Sequence, residues 1–361
     1  MNPFLFRRFR NLETRVHELN YIFWECTLRC NLSCRHCGSD CFSSSLTPDM
    51  PLQDFLKALD TMPRSLNNAN NRIIVVLTGG EPLLRPDILE VGMALNHRGF
   101  YWSMVSNGFL YTEQMHKQLM DAGLKALTIS LDGVEEDHNW MRGNPQSFQR
   151  TLNAIKIAAS DKRLDFDVVT CVNKRNLKRL EELYSLLAGV GVRKWRLFTI
   201  IPIGRAEKEA DLHLTKSEKV EMMEFIKAHR EKESCSKTKS ADSQIDVAFS
   251  CEGYLGKYEE KARPVRFFCH AGINIASVLI DGRISGCPNI DRDLFSQGNI
   301  YRDNFYDVWE NRFKPFRERS WARQGICKEC KHFKNCFGGG MHNWKGEKAI
   351  LQPLTCNKID Y

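Results

Sequence analysis

Cys30-Asn31-Leu32-Ser33-Cys34-Arg35-His36-Cys37 follows directly on the strand-like stretch Asn20 to Trp24, and Gly79-Gly80-Glu81-Pro82 closes a second such stretch downstream. Thiolates at Cys30, Cys34 and Cys37 can hold three irons of a four-iron cluster and leave the fourth iron without a protein ligand, which implies chemistry there. The spacing i, i+4, i+7 would also put the three on one helix face as a small buried stripe. Asn31, Ser33, Gly38 and Ser39 are poor helix formers, so the run reads as a loop at a strand end. Cys26 and Cys41 flank it and read as a strand-end thiol and a loop thiol, with ligation by either as the rival assignment.

Outward from these motifs, Tyr21 to Trp24, Arg72 to Leu77, Tyr101 to Val105, Ala126 to Leu131, Phe166 to Val172 and Trp195 to Ile200 read as strands. Between them Leu52 to Met62, Asp87 to Arg98, Thr112 to Ala122, Phe148 to Ala159 and Asn176 to Ala188 carry apolar residues three and four apart and read as helices. The alternation predicts an α/β chain built as a partial (β/α)6 barrel, with reactive residues at the carboxyl ends of the strands. Both motifs fall at such ends. Leu214 to Arg230 reads as a further helix, and Glu231 to Gln244, polar and rich in Lys and Ser, as an exposed connector. The expected division is an N-terminal segment over 1–19, the barrel over 20–232, a connector over 233–262 and a cysteine-rich domain over 263–361.

With 361 residues, 42% of them hydrophobic, the chain can bury a large core. No run approaches the about eighteen apolar residues of a membrane span, and Met1 to Arg10 lacks a signal-peptide core, so a cytoplasmic location is expected. Fourteen cysteines without an export signal then point to metal ligation rather than disulfides. The formal charge of +8 is spread along faces such as Lys178-Arg179-Leu180-Glu181-Glu182, and thiolate-held clusters would offset it, so no nucleic-acid partner is expected.

Taken together the motifs resemble the radical S-adenosylmethionine (SAM) superfamily, and the tail is similar to the SPASM extension of its peptide-modifying members, from about Tyr21 to Cys356. The resemblance implies that the open iron chelates the amino and carboxylate groups of SAM, and that the reduced [4Fe-4S] cluster cleaves it to a 5′-deoxyadenosyl radical. It implies that Gly79, Gly80 and Glu81 contact the methionine moiety, with loop-holding as the alternative role for Glu81. Ser106 and Asn107 resemble the turn near the ribose, Ser130 would bind ribose hydroxyls, and Arg142 would take the SAM carboxylate in its planar fork. Asp132 would face the reaction space as the candidate catalytic group. Leu197, beside Phe198 at a strand end, would pack on adenine, and His36 would lie beside the cofactor as a packing or backbone-contact residue.

By the same resemblance Cys327, Cys330, Cys336 and Cys356 correspond to a fully ligated auxiliary [4Fe-4S] cluster, and Cys269 and Cys287, with Cys251, to another. A zinc ribbon is the rival reading of Cys-x2-Cys. The cysteine normally four places after Cys336 is replaced here by Gly340, so one ligand is missing. Either the second cluster has an open iron, available to a substrate group or capped by His342 or solvent, or only one auxiliary cluster assembles. Sulfatase-maturing relatives carry an Asp after the cysteine matching Cys287, where this chain has Pro288 and Asn289.

The expected activity is hydrogen abstraction from a peptide or protein, giving an oxidative modification or crosslink. The alternatives are small-molecule chemistry of a haem or quinone-cofactor pathway, sulfatase-maturase-like chemistry, or a non-catalytic iron–sulfur electron carrier or scaffold. A flavodoxin- or ferredoxin-type electron donor and an anaerobic setting are further implications. Only 29 residues precede Cys30, fewer than the N-terminal peptide-recognition domain of many such members, so recognition is expected to use the barrel, the tail or a separate protein.

Overall fold

The computed structural model describes residues 2–67, 72–235, 244–347, 350–353 and 356. Strands β1 (Tyr21–Thr27), β2 (Ile74–Gly79), β3 (Tyr101–Ser106), β4 (Leu124–Ser130), β5 (Asp165–Val172) and β6 (Lys194–Thr199) pair in parallel in chain order. They are the six that the sequence predicts, with ends shifted by a few residues. Two further strands extend the parallel run: β7 (Asp246–Phe249) beside β6, and β8 (Ile275–Val278) beside β1. Antiparallel β9 (Arg283–Ser285) and β10 (Gly298–Asn299) follow β8. Among the described residues β7 and β10 are the two ends of the strand order, so the sheet stays open as an incomplete barrel. A separate hairpin pairs β11 (Trp344–Glu347) with β12 (Ile350–Pro353).

The cysteine-rich tail thus grows out of the barrel's own sheet, and β7 falls inside the stretch read as connector. Residues 236–243 of that stretch lie outside the described residues. Glu25, fully buried in β1, seals the junction by accepting from the Ile280 backbone at 3.0 Å and from Arg292 Nη2 at 3.1 Å.

Burial alternates along the strands. In β5 Phe166, Val168, Thr170 and Val172 are buried while Asp167, Val169 and Cys171 are half-buried, and in β6 Trp195, Leu197 and Thr199 alternate with Arg196 and Phe198. Ahead of the tail, the described helices are α1 (Pro3–Val16), α2 (Leu52–Leu59), α3 (Ile88–His97), α4 (Glu113–Asp121), α5 (Glu135–Arg142), α6 (Ser147–Ser160), α7 (Leu180–Gly189) and α8 (Lys216–Cys235). Trp195 meets Tyr184 of α7 and Phe225 of α8, which marks the buried face as the helix-covered one. A parallel sheet covered on both faces would be apolar at nearly every position. Here the other face carries Thr128, Asp167 and Arg196, joined by hydrogen bonds of Thr128 Oγ1 to Asp167 (2.6 Å) and of Arg196 to both. That half-exposed polar face lines a concavity, and the loops at the strands' carboxyl ends form its mouth.

Three local features depart from the sequence reading. The N-terminal segment holds α1, docked on the tail through Phe6 against Phe268 and through Arg10 Nη1 to the Lys334 carbonyl at 3.2 Å. Helix α5 carries Glu135, Glu136 and Asp137 in its first turn and stops at Gly143, whose φ of 66° suits glycine. The helix expected from Asn176 starts as the 3-10 turn Leu177–Arg179 and becomes α7 at Leu180, because the Asn173 and Asn176 side chains bond backbone groups locally.

Candidate active site

The loop leaving β1 carries Cys30, Cys34 and Cys37, tied back by Cys30 N to Phe42 O (3.0 Å) and Cys37 N to Cys34 O (3.3 Å). The thiols stand close enough to disfavour one another's ionisation. Burial pushes Cys30 up to about 11, with Cys34 and Cys37 adding to the rise, and burial likewise raises Cys34, against the lowering pull of Arg142. Cys37 goes the other way, to about 6, chiefly because the Cys41 thiol hydrogen-bonds it, with burial opposing. Cys41 is therefore a donor to a candidate ligand. Cys26 points its thiol at Thr78 O (3.4 Å), within the core.

An arginine that sequence reasoning missed clamps this loop. Arg205, on the 3-10 turn Gly204–Lys208 after β6, donates from its backbone to Cys37 O (3.0 Å), from Nε to Cys34 O (2.7 Å) and from Nη1 to Cys41 O (3.0 Å). At Gly204 a Cβ would stand 2.5 Å from Cys37 O. Arg205→Ala should lose about 2 kcal/mol of loop-holding hydrogen bonds. The expected result is at least tenfold faster iron loss from the Cys30–Cys34–Cys37 site under chelator, with tail iron unchanged, and an unchanged rate would dismiss the clamp.

Gly79 and Gly80 have a steric reason to be glycine. A Cβ on Gly79 would meet Thr27 O at 2.2 Å and one on Gly80 would meet Arg29 O at 2.0 Å, where Gly80 N and Glu81 N bond those same carbonyls at 2.7 and 2.9 Å. Glu81, only 1% exposed, accepts from Leu83 N (3.2 Å), Ser106 Oγ (2.9 Å) and Asn107 N (2.8 Å). Both its oxygens are thus committed to protein, the loop-holding alternative, and any contact of Glu81 with a methionine moiety would come from its backbone. Ser106 Oγ is similarly used, since it also accepts from Gly108 N (3.0 Å), whereas Asn107 Nδ2 reaches Asn31 Oδ1 (2.8 Å) and lies 3.8 Å from Cys30 Sγ.

Burial raises the Glu81 carboxyl to about 6, the hydrogen bonds pulling the other way. A carboxyl raised on folding contributes stability fully present below its unfolded value and lost as pH rises through about 6. Relative to Glu81→Gln, wild type should therefore gain about 1 kcal/mol of unfolding free energy between pH 7.5 and 5.5. A pH-independent difference in denaturant midpoints would refute this.

Asp132, after β4, is 1% exposed; Arg142 Nη2 lies 2.7 Å and His36 Nε2 3.5 Å from its Oδ2, and Cys171 N donates to Oδ1 at 2.9 Å. Burial would raise its carboxyl, but the Arg142 guanidinium chiefly overcomes that and holds it below the usual range. Burial lowers His36 to about 4, so the imidazole is neutral. The expected roles need amendment here. The carboxylate that Arg142 faces is Asp132's, with Nη1 also 3.6 Å from Cys34 Sγ, and Asp132 is a paired anion rather than an exposed base. Ser130 sits half-buried at the end of β4. Leu197 has 0% exposure within the helix-side core, because strand alternation turns it away from the concavity and leaves Phe198 facing it.

Around the thiol loop Asn31 Nδ2, His36 Nδ1 and Arg142 Nε are buried without hydrogen-bond partners. Such atoms are costly and rare, and their gathering beside three thiols fits a cluster with a polar ligand on it. Among the described residues, His36, Asp132 and Cys171 bring three potential ligand atoms within 4.8 Å of one another.

In the tail, burial raises the Cys251 thiol, with Cys269 and Cys287 next, even though Cys251 as a residue is exposed, and burial pushes Cys287 up to about 12 with Cys269 adding to it. Cys336 is likewise raised to about 12, first by burial and then by Cys356, Cys327 and Cys330. The chain therefore gathers three sets of thiols: Cys30–Cys34–Cys37, Cys251–Cys269–Cys287 and Cys327–Cys330–Cys336–Cys356.

The radical SAM superfamily profile matches residues 24–187, and that of the SPASM iron-sulfur cluster-binding domain matches 269–331. An AdoMet-dependent heme synthase from Nitratidesulfovibrio vulgaris is 25% identical over 97% of this chain and 95% of that protein. Mycofactocin maturase MftC from Mycobacterium tuberculosis is 27% identical over 88% and 77%. Streptococcus suis SuiB, solved with its precursor peptide SuiA, shares the fold at TM-score 0.67 and 14% identity over 92% of this chain and 75% of that one. The protein anSMEcpe, solved with AdoMet and a Cp18Cys peptide, does so at TM-score 0.64 and 20% identity over 90% and 89%. No described helix is long and apolar enough to cross a membrane.

Proposed function

Because the chain belongs to the radical SAM superfamily and carries a SPASM extension, we propose that it abstracts a hydrogen atom from a peptide or protein side chain and leaves an oxidised residue or crosslink. The observation that carries the reaction type is the triad of loop thiols at the mouth of a concavity whose inward face is polar and half-exposed. When bound, the first cluster with SAM supplies a 5′-deoxyadenosyl radical, and the auxiliary clusters supply an exit for the second electron.

The chain's own residues hold and orient. Cys30, Cys34 and Cys37 ligate, Cys41 donates to Cys37, and Arg205, Gly79, Gly80 and Glu81 fix the loop. The neutral His36, the Asp132–Arg142 pair, Ser130 and Asn107 face the SAM position, and Phe198 takes the adenine-stacking place first given to Leu197. Cys251, Cys269, Cys287, Cys327, Cys330, Cys336 and Cys356 ligate the auxiliary clusters. A flavodoxin- or ferredoxin-type protein delivers the electron.

The peptide reading draws on the peptide-modifying relatives and the peptide-bound neighbours. A second reading, an iron-porphyrin substrate, is favoured by the end-to-end match to a heme synthase. Anaerobically reconstituted, reduced protein with SAM should produce 5′-deoxyadenosine in step with loss of two hydrogens from a peptide encoded beside its gene. Carbon dioxide loss from Fe-coproporphyrin III, with the peptide unchanged, would replace this reading by the second.

A further inference from the structure

We propose that Nε2 of His342 is the fourth ligand of the auxiliary cluster held by Cys251, Cys269 and Cys287. The inference rests on the iron–sulfur reading of those three thiols, which bring one donor fewer than a four-iron cluster has irons.

The segment 339–343 is stitched to Cys269 through Arg319 and to Glu252, the neighbour of Cys251. Arg319, itself buried, donates from Nη1 to Gly339 O at 2.9 Å and from Nη2 to Cys269 O at 3.2 Å. Asn343 Nδ2 donates to Glu252 O, one residue past Cys251, at 2.9 Å. His342 therefore sits between an anchor to Cys269 and an anchor to the Cys251 loop. Buried Met341 and Trp344 flank it, and Trp344 Nε1 is pinned to Gly338 O at 2.8 Å.

The imidazole also occupies the space of the absent side chain. A Cβ built on Gly340 would stand 2.5 Å from His342 Cε1 and 3.0 Å from Nε2. A cysteine at 340 and this histidine rotamer exclude each other, and glycine is what the ring's position requires. His342 is only 8% exposed, yet its Nε2 is buried with no hydrogen-bond partner. An orphaned imidazole nitrogen costs about 1–3 kcal/mol, and a neutral imidazole is a good ligand for iron. A solvent cap or a substrate donor would need the volume that the ring already fills.

The test uses the full chain with Cys30, Cys34 and Cys37 all changed to Ala, which removes the SAM-binding cluster and its nitrogen ligands. After reconstitution it should hold about eight irons, two four-iron clusters. Pulsed EPR of the reduced protein, grown with ordinary or 15N-labelled histidine, should show a directly coupled histidine nitrogen. The coupling should vanish in His342→Ala. Gly340→Cys combined with His342→Ala should keep about eight irons, with thiolate replacing imidazole and no histidine coupling. Eight irons with no histidine coupling, or a coupling that survives His342→Ala, overturns the ligand assignment and leaves the radical SAM reading intact. About four irons, with only one auxiliary cluster formed, also overturns it. Failure of the radical SAM reading itself would show separately, as absent 5′-deoxyadenosine in otherwise wild-type, fully loaded protein.

Discussion

Cys34→Ala should lower 5′-deoxyadenosine formation by at least about a thousandfold, equivalent to some 4 kcal/mol of barrier, and remove about four irons per chain. Cys34 is the most enclosed of the three loop thiols at 7% exposure, and its sulfur lies 3.6 Å from Arg142 Nη1 while its carbonyl is held by Arg205. Alanine leaves two thiolates for a cluster that needs three, and it also leaves the buried guanidinium with Asp132 as its remaining anionic neighbour. Cys26→Ala is the matched control. Its thiol faces Thr78 O within the core, so that variant should keep iron and cleavage while losing about 1 kcal/mol of stability. Equal cleavage by Cys34→Ala and wild type would remove the assigned role of the loop.

The parts of this molecule that were legible from sequence are those whose signal is local. Strands β1 to β6 were readable because apolar and β-branched runs bounded by Gly and Asn turns are self-contained. The gathering of Cys30, Cys34 and Cys37 was readable because their spacing is short. Helix α5 was missed because Glu-Glu-Asp-His-Asn-Trp-Met-Arg has no apolar stripe, although its acidic first turn was an available sign. Helix α1 was missed because it buries only Phe6 and Arg10 and leaves Leu5, Phe9, Leu12 and Val16 exposed, so its pattern does not match a core-facing helix.

The clamps were invisible for a different reason. Arg205 meets Cys34 across 171 positions, Arg319 meets Cys269 across 50, and Asn343 meets Glu252 across 91. Nothing near those residues records their partners. Leu197 shows the reverse error, a local motif read correctly as a strand end but one residue out of phase with the concavity, which in a strand moves a side chain to the opposite face.

Cys330→Ala should uncouple the reaction, retaining 5′-deoxyadenosine formation to within about tenfold while product falls by more than about a hundredfold, some 2.7 kcal/mol. The contacts described for the Cys30–Cys37 loop come from residues such as 79–81, 107, 132, 140–143, 203–205 and 209, and none of those described comes from the Cys327 to Cys356 set. On the proposed ligand sets, losing Cys330 therefore leaves the cleavage machinery assembled. The tail is nonetheless wired to the mouth. Asn343 holds Glu252 O, and the Glu252 carboxylate, raised to about 7 chiefly by burial, accepts from Thr199 N and Oγ1 at the end of β6, five residues before the Gly204–Arg205 clamp. Tyr254 N bonds the Cys336 thiol, so the Cys251 loop touches both auxiliary sets. An electron leaving the substrate would thus find two adjacent cluster sites beside the barrel mouth, and disrupting one should strand the substrate radical to be quenched. Deuterium returned from solvent to unmodified substrate is the expected signature. Full product yield from Cys330→Ala would mean that the tail set is structural and that the second electron leaves by another route.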